Sequence, residues 1–164
     1  MESMGKIINQ VNNFSPDEFP KYALDYTQAV VLTKLQNLRH IWDNPIHPSR
    51  HSDGWARFEG SENSRHYAVN RLSDAGDFFP EGNVFEFWLL MQQTKWGGIG
   101  IYFDTRRGRL QPGPMIHGDL REERILWCRI NGIYYYLNIG TPEEKRHAQL
   151  KFMKAVDNYM RYEL

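Results

Sequence analysis

Cysteine is almost absent from this sequence, which has one, Cys128, in 164 residues. A single cysteine excludes an internal disulfide and a zinc site built from cysteine thiolates. Because Cys128 lies in an apolar stretch, we expect a buried and unreactive thiol. A metal site in this chain would therefore need histidine and carboxylate side chains as its ligands.

Long apolar runs are also missing. No stretch approaches the roughly 20 apolar residues of a membrane-spanning helix. The first 14 residues have neither an apolar core nor the small-residue cleavage pattern of a secretory signal. We therefore expect a protein made in the cytoplasm without membrane insertion, so that a substrate outside the membrane would have to be reached by other means.

The chain has no excess of charge of either sign, since Lys+Arg and Asp+Glu both total 20. A protein that binds nucleic acid needs a basic face, so this balance argues against such a partner. One basic run, residues 106–109, is typical of a solvated turn. Hydrophobic residues at 41% and charged residues at 24% are ordinary for a globular protein, and the length suits one domain.

Helices are predicted where capping residues precede apolar positions at helical spacing. A short turn is expected after residue 15, and one long amphipathic helix over residues 23–42. A second capping box opens a helix from residue 83 to about residue 95, with Gly97 and Gly98 as its stop signal. A third capping box opens a last helix at residue 141.

Strands are predicted over residues 75–79, 99–104 and 114–118, and Asn131-Gly132 between two apolar runs predicts a hairpin. Residues 44–63 have no periodicity and are predicted to be mostly loop, with His47 and His51 at the surface. The connections favour hairpins over βαβ units. We therefore expect a single α+β domain, with a small antiparallel sheet and flanking helices.

Histidines and aspartates suggest a metal site in two stretches. Residues 64–79, SRHYAVNRLSDAGDFF, contain His66, Asp74 and Asp77, and His117 lies two residues before Asp119. Two histidines and one aspartate can hold zinc with one coordination position left open. Zinc in such a set keeps enough positive charge to lower the pKa of a bound water toward neutrality.

Four motifs carry a resemblance to a known family: Ser64-Arg65-His66, Ala75-Gly76-Asp77, GGIGIY at residues 97–102, and His117-Gly118-Asp119. In this order they resemble the M15 family of zinc D-Ala-D-Ala carboxypeptidases and related phage cell-wall peptidases, in the branch ending in His-x-Asp. The opening FSPDEF, residues 14–19, is similar to that branch as well. The resemblance implies a hedgehog/DD-peptidase-like fold with Zn²⁺ on His66, Asp77 and His117.

The choice of aspartate follows from the same comparison. The gap between His66 and Asp77 is longer than is usual in the family, and Asp74 lies nearer the usual distance. Asp77 is favoured because it completes the Ala-x-Asp motif and begins an apolar strand, with the extra residues looped out.

The general base is less directly indicated. Many family members place an acid three residues before the last histidine, but Pro114 occupies that position here. Asp119 is the predicted substitute, although a residue two positions along a strand shares the face of His117 and could instead orient it. Asp104 is a further candidate.

Three residues are predicted to contact the substrate. The family uses an upstream arginine to hold the substrate carboxylate, and Arg57 is predicted for this role, with Arg50 in the same region. Ser64 and Tyr102 are predicted at the substrate site, and Ser64 could instead support its loop.

The resemblance implies a zinc peptidase that hydrolyses amide bonds in peptidoglycan stem peptides. We expect it to be encoded by a phage or prophage, to act at the bacterial cell wall or within a phage particle, and to be a monomer when free. The missing acid at Pro114 keeps an alternative open: a non-catalytic virion or tail protein of the same fold, which binds wall peptides or virion proteins. A cytoplasmic hydrolase of another amide is a third possibility.

Overall fold

The structure, a computed structural model, describes residues 1–105 and 114–163. Within these ranges it combines helices with one six-stranded, mostly antiparallel sheet, so the α+β prediction is confirmed. The helices are α1 (Lys21–Tyr26), α2 (Ala29–Ile41), α3 (Val84–Gln93) and α4 (Pro142–Glu163). The strands are β1 (Ile46–Pro48), β2 (Ala75–Pro80), β3 (Gly98–Tyr102), β4 (Met115–Asp119), β5 (Ile125–Ile130) and β6 (Ile133–Tyr136). The basic run at residues 106–109 lies outside the described residues.

The strands are arranged in the order β1-β2-β4-β3-β5-β6. Neighbouring strands are antiparallel except β3 and β5, which are parallel. Because β4 pairs with both β2 and β3, these two strands run in the same direction, and α3 crosses over between them. The expectation of hairpin connections therefore holds for β3–β4 and β5–β6 but is wrong for β2–β3.

The single helix predicted over residues 23–42 is wrong, because the chain is extended at Thr27 and Gln28, between α1 and α2. The backbone N–H of Gln28 donates to the carbonyl of Ser73, and the N–H of Met4 donates to the carbonyl of Thr27. The two extended residues thus join the N-terminal segment to the segment before β2. Both helices pack against the same apolar core, so periodicity alone could not reveal the break.

The predicted end of α3 also needs correction. The helix stops before Thr94, whose N–H closes the last turn, rather than at the glycines. Gly97 and Gly98 are needed for close packing instead. A Cβ on Gly97 would lie 1.7 Å from the carbonyl oxygen of Arg121, and one on Gly98 would lie 2.2 Å from Oδ2 of Asp119.

The other local signals are confirmed. Capping boxes form at Ser15 and Thr141, and the side chain of Asn83 accepts hydrogen bonds from the first turn of α3. The hairpin turn has positive φ angles at Asn131 (51°) and Gly132 (79°), as a tight turn between twisted strands requires.

The segment at residues 44–63 contains more structure than predicted. β1 forms the edge of the sheet beside β2, where proline is tolerated because no further strand needs its missing N–H. A 3-10 turn follows at Ser52–Gly54. His47 pairs with Glu81 near the surface, and His51 is exposed, as expected for surface histidines.

The two faces of the sheet have different roles. Alternate residues pack against the helices in the main core, and these include Phe78, Ile99, Ile101, Ile116 and Cys128. Burial raises the pKa of the Cys128 thiol to about 12, as expected for an unreactive thiol. The opposite face lines an open cleft. No helix in the described part of the chain has both the length and the apolarity to cross a membrane.

Trp55 is a fully buried side chain that packs on β2. A Cβ on Gly76 would lie 2.5 Å from its indole ring. We predict that Gly76→Ala lowers the free energy of unfolding by about 1–3 kcal/mol, because a rigid ring cannot give way cheaply. Urea denaturation measures this change.

The matched control is Leu150→Ala on α4, where the side chain is 62% exposed and the change should stay within about 0.5 kcal/mol. An unfolding midpoint of Gly76→Ala equal to that of the wild type would contradict the packing of Trp55 on this strand.

Candidate metal centre

Three buried ligand atoms converge at the floor of the cleft. His66 Nε2 lies 3.0 Å from His117 Nδ1 and 3.4 Å from Asp77 Oδ1, and the last two atoms are 2.9 Å apart. Tetrahedral coordination with bonds of about 2.1 Å places neighbouring ligand atoms about 3.4 Å apart. The three residues could therefore hold a metal ion.

The pairing of β2 with β4 positions two of these ligands. Asp77 and His117 are directly opposite each other in the antiparallel register, so both side chains project from the same face. On the other side of β4, Gly100 is opposite His117. Because Gly100 has no side chain, the Trp127 ring can lie beside His117, with 5.1 Å between the ring centroids.

His66 reaches the site from the loop before β2. The backbone N–H of Arg57 donates to the His66 carbonyl, and the His66 N–H donates to Oγ of Ser64 at 3.3 Å. Ser64 therefore supports the loop, which was one of its two predicted roles, and it also lines the cleft.

The second ring nitrogen of each histidine faces an acceptor. His66 Nδ1 lies 3.4 Å from the carbonyl oxygen of Trp55, and His117 Nε2 lies 3.2 Å from Oδ2 of Asp119. With a proton on each of these nitrogens, His66 Nε2 and His117 Nδ1 present lone pairs toward Asp77. Neutral imidazoles oriented in this way are what a metal ion requires, so the donor set fits.

Asp119 is fully buried and saturated with hydrogen bonds. It accepts from the backbone N–H groups of Gly98 and Arg121, from the Arg121 guanidinium and from His117. Burial alone would raise the pKa of Asp119, but His117 and Arg121 outweigh this and hold it well below its usual range. A weak base on the far side of His117 is suited to orienting the ring rather than to acting as a general base.

Asp104, the other predicted general base, also accepts several hydrogen bonds. Arg129 Nε donates to both of its oxygens, at 2.9 and 3.1 Å, and the N–H of Gly132 donates to Oδ2 at 2.5 Å. Its carboxylate lies at the rim of the cleft as part of an ion pair.

The structure distinguishes Asp74, which lies just before β2, from Asp77, which lies within it. Asp74 forms an ion pair with Arg65 at 2.9 Å and does not belong to the ligand group. Asp77 does belong to it, as predicted. Burial alone would raise the pKa of Asp77, but His66 and His117 lower it well below its usual range, so the carboxylate is ionised.

The cleft above the ligands has a volume of about 800 Å³. One wall consists of aromatic side chains from the sheet, namely Phe79, Tyr102, Trp127, Tyr134 and Tyr136. The opposite wall comes from residues 49–66, before β2. The site is thus open to a substrate on one side and buried on the other.

Among the described residues, four arginines line the cleft, and three of them form ion pairs: Arg65 with Asp74, Arg121 with Asp119, and Arg129 with Asp104. Arg57 has no carboxylate partner among the described residues, since its Nε donates to the backbone carbonyl of Asp53. Arg50 does not line the cleft and donates to the Asp17 carbonyl. The geometry therefore leaves Arg57, and not Arg50, available to bind an anion in the cleft.

Tyr102 extends into the same cleft. Its hydroxyl lies 3.4 Å from Trp127 Nε1, and its ring centroid lies 6.4 Å from that of His117. Burial, with a smaller contribution from Asp77, raises the pKa of Tyr102 far above its usual value. The hydroxyl therefore stays protonated and can donate a hydrogen bond.

Sequence reasoning missed several contributors. Trp55 acts through its backbone carbonyl, which carries no side-chain signature. Arg121 follows Asp119 by two residues, a spacing that could have indicated an ion pair. Asp53, which lines the cleft, lies in a segment without any periodic signal.

Comparisons with known proteins add no family assignment. No family model, curated protein or solved structure matches the chain. The resemblance to M15 peptidases thus stays a prediction from short motifs, and the case for a metal site depends on the geometry described above.

We predict that the protein binds one divalent ion per chain, with Zn²⁺ as the probe in isothermal titration calorimetry. His66→Ala and Asp77→Ala should each weaken binding by more than about 100-fold, since loss of a ligand exceeds the usual effect of an outer-shell change.

Asp74→Asn is the control for these variants. Because Asp74 pairs with Arg65 and not with the ligand group, this substitution should leave the affinity for Zn²⁺ unchanged. Equal affinity in Asp74→Asn and wild type, together with unchanged binding by Asp77→Ala, would contradict this site.

Metal binding should depend on pH through His117. Burial alone would lower the pKa of His117, but hydrogen bonds to Asp119 and Asp77 raise it to about 9 in the metal-free protein. A proton must then leave Nδ1 before a metal binds. We predict that affinity for Zn²⁺ rises about tenfold per pH unit between pH 7 and 8.5.

Calorimetry in buffers of different ionisation enthalpy should detect the released proton. An affinity that does not change over this range would show that His117 is not protonated in the metal-free protein.

Proposed function

We propose that this protein is a zinc-dependent peptidase that hydrolyses amide bonds in peptidoglycan stem peptides. The observation that carries the proposal is the convergence of His66, Asp77 and His117 at the floor of an open cleft. Two imidazoles and one carboxylate suit zinc and leave a coordination position free, as catalytic zinc sites do. The motif resemblance to M15 peptidases supplies the substrate class.

Bound zinc would polarise the substrate carbonyl and lower the pKa of water at the open position. The protein's own contribution is to hold the ligands rigidly. Asp119 fixes the ring of His117, and the Trp55 carbonyl fixes the ring of His66. Because both contacts lie inside the protein, the ligand atoms are preorganised toward the cleft.

Arg57 and Tyr102 are the groups that would contact the substrate. Arg57 is the cleft arginine without a carboxylate partner among the described residues, and stem peptides carry free carboxylates that it can bind. Tyr102 stays protonated and can donate to the carbonyl oxygen as negative charge develops there. Such a substrate lies in the bacterial cell wall, where a phage-encoded monomer would act.

The second candidate is a non-catalytic protein of the same fold that binds wall peptides or virion proteins. A non-catalytic function is favoured by the ion pairs of the two acids predicted as general bases. Asp119 pairs with Arg121, and Asp104 pairs with Arg129. In that case the metal would be structural, and a wall peptide would be bound without being cleaved.

The test is incubation of the zinc-loaded protein with purified peptidoglycan and with a synthetic stem pentapeptide, with products identified by mass spectrometry. We predict amide cleavage that is lost in His66→Ala. Arg57→Ala should raise KM at least about tenfold, because a charge-assisted hydrogen bond is worth about 1.5–3 kcal/mol.

Arg50→Ala is the matched control, since Arg50 does not line the cleft and its loss should leave KM unchanged. Stoichiometric zinc with peptide binding but no product would favour the non-catalytic function. Absence of zinc binding and cleavage would contradict the peptidase proposal, and absence of peptide binding as well would contradict the second candidate's binding of wall peptides.

A further inference from the structure

In the described part of the chain, three carboxylates line the cleft: Asp53, Asp77 and Asp104. Asp77 belongs to the ligand group, and Asp104 is held by Arg129 and by the N–H of Gly132. Asp53 is exposed, and no side chain in the described part of the chain pairs with its carboxylate. It is thus the uncommitted carboxylate of the described cleft.

The position of Asp53 is set by the 3-10 turn Ser52–Gly54, which packs on β2. A Cβ on Gly54 would lie 3.2 Å from the Cβ of Asp77 and 2.8 Å from Oγ of Ser49. Only glycine fits this contact, so the turn lies directly against the strand that carries the ligand. Asp53 is the preceding residue, at the mouth of the cleft.

Hydrogen bonds fix this turn in place. The N–H of Gly54 donates to the His51 carbonyl at 3.1 Å, and Arg57 Nε donates to the Asp53 carbonyl at 3.2 Å. The carboxylate and the guanidinium of the cleft that have no charged partner among the described residues therefore come from one short segment, four residues apart. One can take part in proton transfer while the other binds the substrate.

We propose that Asp53 is the general base of this site, an inference that rests on the proposed peptidase function. Asp53 takes a proton from the attacking water as the oxygen of that water forms a bond to the amide carbonyl carbon. It then gives this proton to the leaving nitrogen as the C–N bond breaks. The products are a carboxylic acid and an amine, and Asp53 recovers its charge.

A general base at Asp53 would explain how the site can work although no acidic residue lies three positions before His117. Position 114, three residues before the last histidine, is a proline and cannot transfer a proton. Asp53 supplies the carboxylate from the opposite wall of the cleft. His51 also lines the cleft from this segment and has no side-chain partner among the described residues, but Asp53 is the residue adjacent to Gly54, which packs against Asp77.

The first experiment compares Asp53→Asn with His51→Gln, both in the zinc-loaded full chain. We expect Asp53→Asn to keep one zinc per chain and nearly unchanged KM, while kcat falls about 10²–10⁴-fold. Asp53→Glu should recover part of the rate, because it restores the carboxylate. His51→Gln should keep a rate close to that of the wild type.

The second measurement does not depend on activity. Carbon-13 NMR of protein labelled at aspartate carboxyl carbons follows the Asp53 signal, which is identified by its absence in Asp53→Asn. One equivalent of Zn²⁺ should shift this signal, because a cation bound nearby perturbs the carboxylate. The Asp157 signal from α4, where the side chain pairs with Arg161, should stay in place.

The outcomes separate this inference from the proposed function. An active wild type with an equally active Asp53→Asn would overturn the role of Asp53 and leave the peptidase proposal standing. Loss of activity in His51→Gln alone, or an Asp53 signal unmoved by zinc, would also overturn it. A wild type that binds zinc and cleaves no wall peptide would overturn both the general-base role of Asp53 and the proposed peptidase function.

Discussion

The antiparallel register of β2 and β4 is the constraint on which the site depends. It places Asp77 opposite His117 and turns both side chains away from the helix-covered core. If β2 slipped by one residue, Asp77 would turn to the other face, where Phe78 and Ile116 now pack, while His117 stayed in the cleft. The apolar residues of the two strands therefore stabilise the register that brings the ligands together.

Charge balance explains why this register favours a cation. Asp77 and Asp119 are both buried and ionised, on either side of His117. Arg121 compensates Asp119, whereas Asp77 has only the two imidazoles. A proton on His117 supplies the missing charge in the metal-free protein, and a metal ion would replace that proton.

The charged side chains that line the cleft fall into two sets, those with a charged partner and those without one among the described residues. Three of the four arginines described in its lining pair with carboxylates, Asp104 among them, and Asp77 lies against two imidazoles. Arg57 and Asp53 are the exceptions, and both belong to the irregular segment between β1 and β2. Reactive groups on a loop held against a rigid sheet are a common arrangement in enzymes, because the loop can vary while the sheet fixes the geometry.

Capping boxes, strand patterns and the ligands His66, Asp77 and His117 were readable from the sequence, because each depends on neighbouring residues or on a short motif. The break at Thr27 was not, since it depends on pairing with Ser73. The orienting role of Asp119 likewise became clear only from its partners. Local signals determined most of the elements, and a motif resemblance indicated the three residues that could hold a metal. Tertiary structure decided which charged groups are engaged, because an ion pair requires partners that only the folded chain brings together.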